Sequence, residues 1–241
     1  MPDFQLKEIT LLKRKEDLSS LPKGKLLINC IYAYSYHVAQ YDPKFADALR
    51  HADVLLPDGA SIVKAIKWLT NEKIERISGA DLFTYEMEAL NKQGGVCFFL
   101  GSNAKVLELI RQRAIIDYPA IKITTYSPPF RTEFSTDENL SIIDSINAAA
   151  PNLLWIGMTA PKQEKWIHAH LDKLNIDGHI GAIGAVFDFY AGTVKRAPKW
   201  WQEHCLEWLY RLIQEPKRMW RRYLIGNISF IYHIFREKYN I

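Results

Sequence analysis

Short, uninterrupted apolar runs alternate with stretches of helical apolar spacing along most of the chain. This alternation constrains the fold more than any other feature. Lys25–Ile31 (KLLINCI), Asp53–Leu56, Val96–Leu100, Ile121–Tyr126, Leu153–Ile156 and His179–Ile183 read as strands. Pro43–His51, Ala60–Thr70, Gly79–Lys92, Asn103–Asp117, Glu138–Ala149 and Pro161–Leu174 read as the helices between them. In Ala60–Thr70, for example, Ile62, Val63, Ile66 and Leu69 share one face. A strand with one wet face alternates apolar and polar residues, whereas continuous runs call for cover on both faces. The expectation is a Rossmann-like α/β fold, a mostly parallel sheet with helices on both faces. It occupies 1–198, with a helical appendage at 199–241.

Ligands of such sheets gather beyond the carboxyl ends of the strands. The loops to examine are therefore Tyr32–Tyr36, Pro57–Gly59, Gly101–Asn103, Gly157–Lys162 and Gly184–Asp188. Asp58, between Pro57 and Gly59, is placed at this edge by a stiff turn and suits a general base acting on a hydroxyl. Pro-Asp-Gly is equally a common turn. Ser102 and Asn103 open a helix, where they either cap it or leave free amides for a phosphate. No G-x-G-x-x-G or Walker A sequence is present, so a dinucleotide fingerprint is absent. Gln163 and Glu164 fall in a first helical turn beside the crevice. An amide there suits a sugar or a base edge, and polar residues there also complement the helix dipole. Gly181 and Gly184 break the last strand where the backbone can approach a ligand. Asp188, among Phe187, Phe189 and Tyr190, requires a specific partner.

Charge is unevenly placed. From Lys195 onward ten Lys/Arg face four acids, a balance of +6, while the rest of the chain has 21 basic against 23 acidic residues. Four of the seven tryptophans lie in Trp200–Trp220, and Arg211, Lys217, Arg218, Arg221 and Arg222 alternate with aromatic residues. Pro216 divides this basic stretch into two helical pieces. A basic, aromatic-rich amphipathic segment reads as one that lies on an anionic membrane surface. Nucleic-acid binding and plain packing on the core compete with that reading. No apolar run reaches the roughly 20 residues needed to span a bilayer, and the first twenty residues hold no signal-peptide core. Cys30, Cys97 and Cys205 form no C-x-x-C pair, which fits a reducing cytoplasm better than a disulfide framework.

Six blocks in order resemble the TagA/WecG/CpsF bacterial glycosyltransferases: ADVLLPDG (52–59), ERISGADLF (75–83), FFLGSN (98–103), GMTAPKQEKW (157–166), GAVFDFYAGTVKRAP (184–198) and LEWLYRLIQEPKRMWRRYL (206–224). The resemblance implies an inverting, metal-independent enzyme without a cofactor. It would take a UDP-sugar donor, often of N-acetylmannosamine type, and a polyprenyl-diphosphate-linked acceptor. It would work peripherally on the inner face of the cytoplasmic membrane, with no nucleic-acid partner; assembly as a homo-oligomer stays open.

Carried over by the resemblance, Asp58 is the base, Arg76 contacts sugar or phosphate, and Gln163 belongs to the donor site. Asp188 meets the nucleoside, and Arg211, Arg218 and Arg221 approach the diphosphate or acceptor. Tyr32, Ser102 and Asn103 complete the expected substrate contacts. Two loops depart from the pattern: Cys30-Ile31-Tyr32 replaces T-P-N, and Asp58-Gly59-Ala60-Ser61 replaces D-G-x-G. An alternative of another class is a membrane-associated scaffold of the same fold that has lost turnover through these changes. Retention of Asp58, Arg76 and Gln163 favours the enzyme.

Overall fold

The computed structural model describes residues 4–203 and 206–240, apart from the side chains of Glu203 and Arg218. Among these residues one six-stranded sheet forms from β1 (Leu26–Ile31), β2 (Val54–Pro57), β3 (Gly95–Gly101), β4 (Ile121–Tyr126), β5 (Leu153–Gly157) and β6 (His179–Ala182). The strand order is β2-β1-β6-β5-β3-β4, and each neighbouring pair is parallel. Helices α1 (Ala33–Ala39) and α2 (Pro43–Arg50) link β1 to β2, and α3 (Ala60–Thr70) and α4 (Gly79–Gln93) link β2 to β3. The later crossovers are α5 (Ala104–Asp117), α6 (Thr136–Ala149) and α7 (Lys162–His170), and α8 (Val186–Ala191) follows β6.

The continuous apolar strands do what their sequence requires. Phe98 and Leu100 pack with Leu27, Leu154, Ile156 and Ile180 on one face of the sheet, beneath Ile142, Ile146 and Ile167. Their neighbours Cys97 and Phe99 pack on the other face with Ile28, Trp155, Leu82, Phe83 and Phe187. Each such side chain contributes about 1.5–3 kcal/mol when taken out of water, so both faces are needed.

Four expectations are corrected. Tyr32–Tyr36 is not a loop, because α1 begins at Ala33. Ser35 Oγ accepts the Tyr32 N–H at 2.8 Å, which closes the first turn. The last strand ends at Ala182, one residue short of Ile183, and Leu171–Lys173 is a 3-10 turn outside α7. Gly181 does not make room for a ligand. A Cβ there would stand 2.2 Å from Trp155 Cζ3, so the missing side chain accommodates the indole of the neighbouring strand.

Beyond α8 the chain forms α9 (Lys199–Glu203), α10 (Glu207–Gln214) and α11 (Pro216–Trp220). A π-helical turn over Arg221–Ile225 then leads into α12 (Gly226–Tyr239). The inner face of α12 joins the core: Phe230 and Ile234 pack with Phe4, Tyr36, Ile62 and Ile66. Glu237 fastens this packing. Its Oε2 accepts from Leu6 N–H at 2.9 Å and Tyr36 O–H at 2.6 Å, and its Oε1 accepts from Lys7 N–H at 2.7 Å. Glu237→Ala strands these donors, so chemical denaturation should report a loss of roughly 3 kcal/mol. A loss below about 1 kcal/mol, the size of one ordinary hydrogen bond, would show that water replaces the carboxylate there.

Candidate active site

The carboxyl ends of β1, β2, β5 and β6 converge on a cleft of about 740 Å³, with the C-terminal segment along its other side. Asp58 is the first residue beyond β2. Its N–H donates to the carbonyl oxygens of Ile31 and Leu56, each at 2.9 Å, so backbone bonds fix its direction. Its Oδ2 lies 3.4 Å from the Gly79 N–H and its Oδ1 3.6 Å from Arg76 Nη2. Burial pushes this carboxyl above its ordinary value, against the opposing pull of Arg76 and the Gly79 amide. A carboxylate with added proton affinity at a cleft wall is suited to general-base work.

Arg76 has a closer partner than Asp58. Its Nη2 stands 2.9 Å from Glu207 Oε2, and Glu207 Oε1 lies 3.6 Å from Arg196 Nε. The first residue of α10 thus spans two guanidiniums that line the cleft.

On the β5 side, the first turn of α7 supplies an amide and a carboxyl. Gln163 Oε1 accepts from Met158 N–H at 3.2 Å, and its Nε2 donates to Glu164 Oε1 at 2.9 Å. Both residues are buried, yet both line the cleft. Burial pushes Glu164 up to about 7.

The π-helical turn brings Arg222 over the rings of Tyr32, at 4.7 Å from the centroid, and Tyr34, at 5.5 Å. Gly226 permits the approach, since a Cβ there would stand 2.9 Å from Tyr34 Cδ2. Desolvation raises the Tyr32 hydroxyl well above its usual range, against the pull of Arg222.

Of the residues singled out in the sequence, Tyr32, Asp58, Arg76, Gln163, Asp188 and Arg211 all line the cleft. Ser102 and Asn103 lie outside its lining. Asn103 Oδ1 accepts from Val106 N–H at 3.0 Å, which caps α5, and Ser102 N–H donates to Gly157 O at 3.1 Å. Arg221 also lies outside the lining, with its guanidinium 5.2 Å from the Trp220 ring centre. The side chain of Arg218 is outside the described residues. Glu164, Arg196 and Arg222 belong to the cleft but were not among the expected site residues. Glu164 is adjacent to Gln163, which lines the cleft with it, whereas Arg222 lines the cleft and its expected neighbour Arg221 does not.

Among the described residues one group offers metal-ligand chemistry. Asp47, His51 and His168 have ligand atoms within 4.8 Å of one another, on the α2–α7 surface and outside the cleft lining.

A parallel α/β sheet whose strand ends carry a proton-accepting carboxylate, facing a cleft lined by Arg76, Arg196, Arg211 and Arg222, defines an enzyme scaffold for an anionic substrate. The family described as "Glycosyl transferase WecG/TagA/CpsF family" matches residues 10–241, and the chain belongs to it. It is a glycosyltransferase. One relative, from Bacillus spizizenii, is named N-acetylglucosaminyldiphosphoundecaprenol N-acetyl-beta-D-mannosaminyltransferase. It is 32% identical over 202 residues, covering 84% of this chain and 76% of the relative. A Bacillus subtilis protein of the same name is 32% identical over 183 residues, 76% of this chain and 69% of that protein.

If the Arg222 stack holds the C-terminal segment over the cleft, Arg222→Leu should loosen it locally. A cation over an aromatic face is worth about 0.5–2 kcal/mol. Amide exchange across residues 206–225 should therefore accelerate roughly 2–30-fold, with α12 unchanged. Equal protection in the two proteins would assign the hold to other contacts.

Proposed function

We propose that the enzyme transfers an N-acetylmannosamine-type sugar from UDP to a saccharide carried on a polyprenyl diphosphate. Transfer proceeds with inversion and without a metal. The observation that carries the reading is Asp58, fixed by backbone bonds at the strand edge and raised by burial, in a chain of this family. The names of the two relatives supply the sugar and the lipid-linked acceptor.

The reaction is one displacement. An acceptor hydroxyl oxygen attacks the anomeric carbon as its proton passes to the Asp58 carboxylate. The bond from that carbon to the UDP oxygen breaks, and its electron pair leaves with UDP. Arg76, Arg196, Arg211 and Arg222 line the same cleft and would take up the charge that develops on the leaving group. A single base on the acceptor side gives inversion.

Asp58→Asn should lower kcat by roughly 10²–10⁴-fold with little change in donor KM. UDP release is the readout, with a synthetic lipid-diphosphate acceptor. A near-normal rate would remove Asp58 from the mechanism. Chelator should leave the wild-type rate unchanged, and a requirement for magnesium or manganese would overturn the metal-free part.

The acceptor's lipid calls for a surface that meets a bilayer. No helix of the described residues is long and apolar enough to cross one. The outer face of the C-terminal segment, however, exposes Trp220, Leu224, Ile225, Ile228, Ile231 and Phe235 beside basic residues. We assign this face to the headgroup region of an anionic membrane. Leu224 and Ile228 are 48% and 70% exposed and lie outside the cleft lining, so changing both to Ser should spare the fold. Their loss should weaken binding to anionic liposomes by roughly tenfold or more, and added salt should weaken it in the unmodified protein. Undiminished binding by the double variant would move the contact elsewhere.

A further inference from the structure

Glu164 presents a problem that the reaction as described does not solve. The residue is 2% exposed. Its Oε1 is occupied by Gln163 Nε2, but its Oε2 is shielded from water and has no hydrogen-bond partner among the described residues. Gln163 is committed elsewhere, since Met158 N–H holds its oxygen. A buried acceptor left empty is costly, and such groups persist where something else completes them.

The position of Glu164 narrows what that is. Asp58 follows β2 and Glu164 opens the helix after β5, with the ends of β1 and β6 between them, and both line the cleft. In the proposed reaction Asp58 takes the proton of the hydroxyl that attacks the anomeric carbon, so the transferred sugar occupies the cleft that both carboxylates line. A diphosphate has no hydrogen to offer a carboxylate and is repelled by it. A hexose offers hydroxyls, and an N-acetylated hexose also an amide N–H. Glu164 lines the cleft wall, and its Oε2 is the acceptor that the protein leaves empty there.

We infer that Glu164 Oε2 accepts a hydrogen bond from an O–H or N–H of the transferred hexose and so helps to select the donor sugar. The inference rests on the glycosyl-transfer reading above. Loss of a bond to a charged, buried acceptor lowers discrimination by one to two orders of magnitude. The partner is found by pairing the residue with the missing substrate group.

The test uses the full chain, a lipid-diphosphate acceptor and a series of UDP-N-acetylhexosamine donors. Each donor lacks one hydroxyl or has the acetamido N–H replaced. Glu164→Gln should lower kcat/KM for the parent donor by roughly 10–100-fold. One altered donor should show that same loss in the wild type and no further loss in the variant. Its identity distinguishes hydroxyl from amide. A variant equal to wild type, or losses that are the same in both proteins for every donor, overturns the inference.

The second readout is donor affinity against pH. Arg222, Tyr32 and Cys30 face Glu164, and Asp58 titrates in the same cleft. A carboxylate accepts better than a carboxylic acid, so wild-type affinity should strengthen as pH rises through about 7. With the critical altered donor that dependence should vanish, a comparison that uses the unmodified chain if the variant does not fold. Persistence of the dependence overturns the inference. A wild type that neither binds nor turns over any UDP-sugar overturns the functional reading together with it, whereas normal wild-type turnover with an indifferent variant overturns the role of Glu164 alone.

Discussion

Two opposed effects meet at Asp58, and their balance decides what the cleft can do. Removal from water disfavours its charge, while the guanidinium of Arg76 favours it. Burial wins the contest, and the negative charge of Glu207, 2.9 Å from Arg76 Nη2, adds to it while Arg76 stands 3.6 Å from Asp58. Asp58 keeps a raised proton affinity as a result. A tighter Asp58–Arg76 pair would hold the carboxylate ionised at the expense of its basicity. The surroundings that suit Asp58 to the base of the proposed reaction therefore include a residue from α10, in a part of the chain remote in sequence from β2.

The sheet was legible because its physics is local. Consecutive residues such as Phe98 and Phe99 point to opposite faces, and both are buried, so an unbroken apolar run already implies two covered faces. Helix α1 was not legible. Its sequence, AYSYHVA, spreads tyrosines around the helix, and a side-chain bond from Ser35 fixes its start in place of an apolar stripe. Gly181 shows the converse limit. A strand glycine reports a close approach, but whether ligand or indole does the approaching depends on a neighbour 26 residues earlier, Trp155.

The site divides in the same way. Asp58 could be found because a strand end and a stiff turn fix a carboxylate at the sheet edge. Ser102 and Asn103 had the same credentials, yet Asn103 is engaged as a cap. Caps and anion sites use the same atoms, and only the position of the cleft separates them. Arg222 was hidden by backbone geometry. Five residues of π-helix shift the angular phase of the segment, so regular helical periodicity does not tell which of two adjacent arginines meets the cleft.

The C-terminal segment resolves a composition that sequence left ambiguous. The C-terminal appendage reads as membrane-facing or as packing, and α12, which follows its basic, aromatic-rich stretch, has one face packed on the core and one exposed apolar face. Phe230, Ile234 and Glu237 face inward, while Ile228 and Ile231 face outward. These rows interleave at helical spacing, so their averaged composition is that of neither. The inner row has a further consequence. Polar contacts between His37 and Ser229 at 2.7 Å, and between Tyr36 and Glu237 at 2.6 Å, fix the rotation of α12 on α1. That rotation sets the direction of the outer apolar row. Six residues before Ile228, Arg222 lies over Tyr32 at the rim of the cleft. In the proposed reaction a bilayer under the outer row would present a lipid diphosphate beside this arginine. The orientation of the enzyme on that bilayer would then be set by a buried and a half-buried hydrogen bond on the opposite side of the same helix.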